Sequence, residues 1–185
     1  MEEEGKALLE PFSRWQNGTF AFFKWAQRLD GTVDGGIISS YGSRTHVHDL
    51  RDKCDLLVIG GNTVRCDRPT LDARMVGGRA PDVLIYSRGG DFDPSIPLFS
   101  VSGRKVYIES TLERIRDYRL VMIEGGAGMM AACAPHCDWY LSYIAPRSGG
   151  GSVGMRSVTE EFEVLHATIP DDIRLWMKTI RKKPE

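Results

Sequence analysis

Five short apolar runs with almost no polar interruption constrain this chain more than any other feature. They are Asp55 to Gly61 (DLLVIGG), Asp82 to Ser87 (DVLIYS), Lys105 to Glu109 (KVYIE), Leu120 to Glu124 (LVMIE) and Trp139 to Ile144 (WYLSYI). Runs of that length without alternation read as strands buried on both faces, the habit of a parallel sheet covered by helices. The aromatic-rich Thr19 to Ala26 (TFAFFKWA) reads as a further, first strand, and a short one is expected near Gly36-Ile37-Ile38-Ser39. Between strands, Ser43 to Lys53 carries Val47 and Leu50 at helical spacing, with Ser43 as the expected N-cap. Asn62 to Leu71 reads as a polar turn, Thr111 to Tyr118 as a helix, and Gly125 to Gly128 as the opening of a small-residue helix that ends near Ala134-Pro135. The tail alternates over Glu161 to Ile169 and Ile173 to Ile180, joined at Pro170-Asp171-Asp172, which predicts an antiparallel hairpin. The pattern is that of an α/β domain: a mainly parallel central sheet flanked by helices, closed by an antiparallel pair. Residues 1–18 are expected to form an N-terminal arm and residues 19–185 a single domain.

Composition removes several classes of function. Lys plus Arg total 24 against 25 for Asp plus Glu, a net charge of -1, so the chain has no global attraction for nucleic acid or an anionic membrane. No apolar run approaches the ~18 residues of a membrane span. The acidic start, Met1-Glu2-Glu3-Glu4, is the opposite of a signal or transit peptide, and a cytoplasmic protein is expected. The four cysteines are too scattered for a disulfide scaffold and read as reduced thiols. Cys133, His136 and Cys137 lack a fourth ligand at zinc-site spacing, and His46 and His48 cannot share one helix face, so no metal is expected.

Ligands of open α/β sheets sit beyond the carboxyl ends of the strands, and three segments with ligand-binding chemistry fall there. Glu124-Gly125-Gly126-Ala127-Gly128-Met129 runs from a buried strand through glycines into a helix, so backbone N–H groups can face a phosphate. A tight turn with no ligand would read the same, and neither G-x-G-x-x-G nor the P-loop lysine is present. Ser87-Arg88 closes another strand with a hydroxyl and a guanidinium, a pair suited to the phosphate monoester that distinguishes NADPH from NADH. Asn62 to Arg74 carries three arginines, two aspartates and two threonines within thirteen residues, either a phosphate site for a substrate or a solvated loop.

Taken in order, these segments resemble the reductase half of the bifunctional riboflavin-biosynthesis deaminase/reductase family. Lys24-Trp25-Ala26-Gln27-Arg28-Leu29-Asp30-Gly31 is similar to the family's K-L-A-x-S-L-D-G, and Ile38-Ser39-Ser40 with Val47-His48-Asp49-Leu50-Arg51 to I-T-S and V-H-x-L-R. Gly61 to Leu71 looks like G-x-x-T-V-x-x-D-x-P-x-L, with Arg74 following. Glu124-Gly125-Gly126 and Tyr143-Ile144-Ala145-Pro146 look like V-E-G-G and Y-I-A-P.

The resemblance implies a three-layer, dihydrofolate-reductase-like fold and NADPH-dependent reduction of the ribosyl group of 5-amino-6-(5-phosphoribosylamino)uracil, or of the related diaminopyrimidine, to ribityl. It places Ala26, Thr63, Asp67, Ser87, Gly126, Ala127, Gly128 and Met129 against NADPH, to which the reading of the strand ends adds Arg88 and Gly125. Arg51, Leu71, Arg74 and Glu124 would contact the phosphorylated substrate, and Lys24 would handle a proton at the reacting sugar. A homodimer is expected. The companion zinc deaminase signature is absent from this chain, so a stand-alone reductase is the expectation. Four departures stand out: Ile37 replaces the family's tryptophan; the Gly31 to Ile37 connection is short, with Gly35 near the place of a substrate-contacting serine that has no counterpart here; Arg28 replaces a small serine; and the helix after Gly128 is shortened. Two other readings keep the fold: a dihydrofolate or pterin reductase, with His46 or Asp49 near the pteridine, and a nucleotide binder without turnover.

Overall fold

The structure, a computed structural model, describes residues 18–155 and 159–180. The expected N-terminal arm thus lies outside the described residues, Gly18 excepted. The strands are β1 (Phe20–Arg28), β2 (Leu56–Gly60), β3 (Asp82–Tyr86), β4 (Val106–Glu109), β5 (Leu120–Glu124), β6 (Trp139–Ala145), β7 (Phe162–Thr168) and β8 (Ile173–Thr179). They form one sheet in the order β4-β3-β2-β5-β1-β6-β8-β7. The first six positions pair in parallel, while β8 runs antiparallel to both β6 and β7. All five expected runs are strands, and the tail is the expected hairpin.

Both faces of the sheet are covered, which is why its central strands need no polar alternation. Every residue of β2 and β5 is buried. On one face Phe22, Leu57, Ile59, Met122 and Leu141 pack with Val47 and Leu50 of helix α1 (Tyr41–Lys53). On the other Phe23, Val58, Val121 and Ile123 pack with Met130 and Cys133 of helix α3 (Ala127–Cys133). Each such side chain contributes ~1.5–3 kcal/mol by leaving water, so the layers are held mainly by apolar burial.

Four local expectations are corrected. The N-cap of α1 is Ser40, whose Oγ accepts from Ser43 N at 3.0 Å; Ser43 lies inside the first turn. Asn62 to Leu71 is not simply a turn, since Gly61–Asp67 forms helix α2, which buries Val64 and ends with Arg68 in the left-handed region at φ 45°. Its polar composition hid it, because only one apolar residue faces the core. Glu113–Asp117 is a 3-10 turn instead of an α-helix. No strand forms at Gly36 to Ser39, because arginines take the carbonyls of this region. Arg28 Nη1 donates to Asp34 O at 2.7 Å and Arg28 Nη2 to Gly35 O at 3.3 Å, while Arg147 Nη2 donates to Ile37 O and Ile38 O.

Candidate active site

Lys24 and Glu124 are register partners in the parallel pair of β1 and β5, so their side chains leave the same face of the sheet. Helix α1 lies on that face, and its last turn delivers Arg51. Glu124 Oε1 accepts from Arg51 Nε at 3.0 Å and Nη2 at 2.8 Å, and Oε2 stands 3.5 Å from Lys24 Nζ. Burial pushes the Glu124 carboxyl upward, but the charges of Arg51 and Lys24 together outweigh it and hold the group down at about 2. Glu124 is therefore an anion fixed between two cations. Its Oε2 keeps acceptor capacity, and the Lys24 ammonium has three donors with one long hydrogen bond among the described residues, besides lying 5.9 Å over the Tyr143 ring.

The loop after α2 completes this cluster. Arg51 Nη1 donates to Asp72 O at 3.3 Å, and Asp72 Oδ1 accepts from Arg74 Nη1 at 2.7 Å. Arg74 remains largely exposed, so its guanidinium is open to an incoming anion. The loop reaches Asp72 through Leu71, which has φ 57° and a side chain buried in the core. A branched apolar residue in that conformation costs ~1–2 kcal/mol, a strain the surrounding contacts must offset. His48 Nδ1 accepts from Met75 N at 3.4 Å, and burial, aided by Arg51, lowers its pKa, so the ring is neutral beside the cluster. The structure brings together Lys24, Arg51, Arg74 and Glu124 from widely separated segments. Leu71 joins them through backbone, its side chain being turned inward.

The second half of the site is made of backbone. At the end of β5, Gly126 is extended, with φ -97°, and among the described residues a Cβ there would meet only Val33, at 4.0 Å. Among the described residues a Cβ on Gly128 would meet nothing within 4 Å, whereas one on Gly125 would lie 2.6 Å from Met129 Cβ. The two glycines that leave open space thus suit a bound group, and Gly125 is required by packing. On neighbouring β2, Gly60-Gly61 makes a second strand–glycine–helix turn leading to Thr63. Beyond it β3 is followed directly by Ser87, whose Oγ donates to Gly89 O at 2.8 Å. Ala26 stands half-buried on β1, and Asp67 is exposed at the end of α2. From β3 through β2 and β5 to β1 is three strand spacings, ~14 Å, room for an extended dinucleotide laid across the strand ends.

Arg88 is exposed and has no hydrogen-bond or ion-pair partner among the described residues. The guanidinium that approaches Ser87 is Arg65, whose Nη2 is 3.4 Å from Ser87 Oγ and 3.1 Å from Gly89 O, with its plane over Phe92 at 4.1 Å. Sequence reasoning groups Arg65 with Arg68 and Arg74, and no local signal separates them. The structure does: Arg68 pairs with Asp93 at 2.7 Å, away from the cluster. The shortened connection is also accounted for. Asp34 accepts from Ser152 N at 2.8 Å and Val153 N at 2.9 Å, and Asp30 from Gly149 N at 2.5 Å, so the loop is fastened to the glycine-rich segment after β6. Ile37 is 68% exposed, and Gly35 sits where a Cβ would collide with Gly150 O.

The fold and these strand ends define a dihydrofolate-reductase-like α/β domain with a charged cluster beside a glycine-rich edge. The chain belongs to the RibD C-terminal domain family, whose model matches residues 19–175. It is 35% identical over 102 residues to the riboflavin biosynthesis protein RibD of Synechocystis, covering 51% of this chain and 28% of that protein. It is 28% identical over 176 residues to RibD of Mycobacterium tuberculosis, covering 80% and 51%. The chain thus spans about a quarter to a half of these two relatives. Among solved structures, the deaminase/5-amino-6-(5-phosphoribosylamino)uracil reductase of Thermotoga maritima superposes with a TM-score of 0.72 at 22% identity, over 97% of this chain and 62% of that one. No helix among the described residues is long and apolar enough to cross a membrane.

Proposed function

We propose that this chain is an NADPH-dependent reductase of riboflavin biosynthesis. It would reduce the ribosyl group of 5-amino-6-(5-phosphoribosylamino)uracil, or of the diaminopyrimidine before deamination, to a ribityl chain. One observation carries the reading. Neighbouring residues of one strand end serve both halves of the site: Glu124 belongs to the charged cluster and Gly126 to the open glycine edge. A substrate on the first and a dinucleotide on the second would then lie close together, as hydride transfer requires.

The glycine edge fits a dinucleotide because backbone at Gly126 and Gly128 is unobstructed where a side chain would stand. Ser87, Arg65 and Arg88 would hold the 2′-phosphate, Thr63 and the Gly126 to Met129 segment the pyrophosphate, and Ala26 would border the nicotinamide. Bound NADPH would supply the hydride. The residues of this chain do the rest. Arg51 and Arg74 orient the substrate phosphate, guanidinium being suited to bidentate contact. Glu124 Oε2 accepts a hydrogen bond from a ribose hydroxyl or a pyrimidine N–H. Lys24 donates to the ribose ring oxygen, so that when the bond from C1 to that oxygen breaks and the C1=N bond forms, a proton is at hand for the new hydroxyl. The nitrogen keeps its own proton through the opening, so a hydride supplied to C1 would give the ribitylamine with the proton from Lys24 as the only one consumed.

Steady-state oxidation of NADPH tests this. Turnover is expected with the ribosylaminopyrimidine phosphate and not with dihydrofolate. Turnover with dihydrofolate alone would reassign the substrate. Tight NADPH binding without oxidation in either case would make the chain a binder.

A further inference from the structure

At the β4 edge of the sheet, beside the loop that carries Asp72, lies a half-buried cation that the proposed reaction does not use. Arg104 lies just before β4, and its guanidinium gathers three main-chain carbonyls: Nη1 donates to Leu71 O at 2.7 Å, and Nη2 to Thr70 O at 2.7 Å and Leu98 O at 2.5 Å. Its Nε is buried and without a hydrogen-bond partner among the described residues. Two of those carbonyls flank Leu71, the residue in the left-handed conformation, and the next residue is Asp72. The Asp72 carbonyl then meets Arg51, and the Asp72 carboxylate meets Arg74. A contiguous path therefore runs from Arg104 through the turn at Leu71 to both arginines of the charged cluster.

We infer that Arg104 is a positioning residue for the substrate: it holds the Thr70–Leu71 turn so that Asp72 can aim Arg51 and Arg74 at the substrate phosphate. This rests on the reading of the cluster as the substrate site. Charge alone would not do this work, because three carbonyls from two directions need the fixed fork of a guanidinium, which an ammonium lacks. The rest of the loop is already stitched to the same support, with Leu98 N donating to Pro69 O at 3.0 Å and Arg68 bonded to Asp93 and Ser95. Those contacts fix where the loop is attached. Arg104 fixes how it turns.

The test uses the full chain with Arg104→Lys and Arg104→Ala. The lysine variant is expected to raise KM for the ribosylaminopyrimidine phosphate about tenfold while kcat and the NADPH Kd each change by less than about threefold, the pattern of a lost substrate-orienting contact. The alanine variant should lose more and recover part of the KM in millimolar guanidinium, but not in methylammonium. Hydrogen exchange at residues 70–74 should quicken in both variants and slow again with guanidinium. An unchanged KM in the lysine variant, an NADPH Kd that rises as much as KM, or a folded alanine variant without guanidinium rescue would each overturn the assignment. If the wild type turns nothing over, the proposed function fails instead. Exchange then decides the role of Arg104, and unaltered exchange at residues 70–74 would overturn it.

Discussion

The two halves of the site are built from opposite materials. The edge formed by Gly60-Gly61, Gly126 and Gly128 is backbone, smoothed by the absence of side chains. The cluster of Lys24, Arg51, Asp72, Arg74 and Glu124 is a relay of charged side chains held at 2.7–3.5 Å from one another or from main-chain carbonyl oxygen. Binding at the first should depend on shape and tolerate loss of individual charges. Binding at the second should depend on each charge, since removing one leaves its buried partner unpaired.

The largest expected effect follows from that asymmetry. Arg51→Met leaves the buried Glu124 carboxylate with Lys24, at 3.5 Å, as its one cationic partner among the described residues. Loss of ~3–5 kcal/mol in urea unfolding is expected, as for other broken buried pairs, together with a raised substrate KM. A double variant with Glu124→Leu should regain most of the stability and none of the activity. Lys24→Met comes next, with kcat reduced by about 100-fold and the NADPH Kd nearly unchanged, because the proposed role lies at the reacting carbon. Equal kcat would remove Lys24 from the chemistry.

A smaller effect concerns stability against pH. His46 Nδ1 shares a hydrogen bond with the Tyr143 hydroxyl at 2.6 Å, and burial, followed by the charge of Arg174, pushes its pKa down from 6.5 to about 3. Between those values the unfolded chain binds the proton that the folded one refuses. Stability is therefore complete above pH ~6.5 and falls with pH below it, by about 2 kcal/mol at pH 5. Urea unfolding at pH 7 and 5 measures this, and His46→Phe should remove that part of the slope. The smallest effect is at the end of β3. Arg65→Ala and Arg88→Ala should each weaken NADPH binding about tenfold and spare NADH, from ~1.5 kcal/mol for a charge-assisted phosphate contact. If only one does so, the position of Arg65 beside Ser87 makes it the expected one.

The two halves also differ in how well the sequence announces them. The glycine edge is local: a buried run, then glycines, then a helix, all within a dozen residues. Its position is therefore legible in the amino-acid sequence alone, as are the parallel order of layers and the terminal hairpin. The cluster joins residues 24, 51, 72, 74 and 124, and only resemblance to a family picks out Lys24, Arg51, Arg74 and Glu124 together. Asp72 and Arg104 carry no such signal, because their work is done on main-chain carbonyls and on arginines whose identity the sequence gives but whose direction it does not. The missed helix α2 has the same cause in milder form, since a single buried valine cannot declare a period.

The division of labour itself is tested by a paired titration, with NADPH and the ribosylaminopyrimidine phosphate each bound separately to Gly126→Val and Arg51→Met. Gly126→Val has room to fold, as its Cβ meets only Val33, at 4.0 Å, among the described residues, and should lose NADPH by at least about 100-fold while binding substrate as the wild type does. Arg51→Met should do the reverse. Loss of both ligands by either folded variant, or normal NADPH binding by Gly126→Val, would contradict the account.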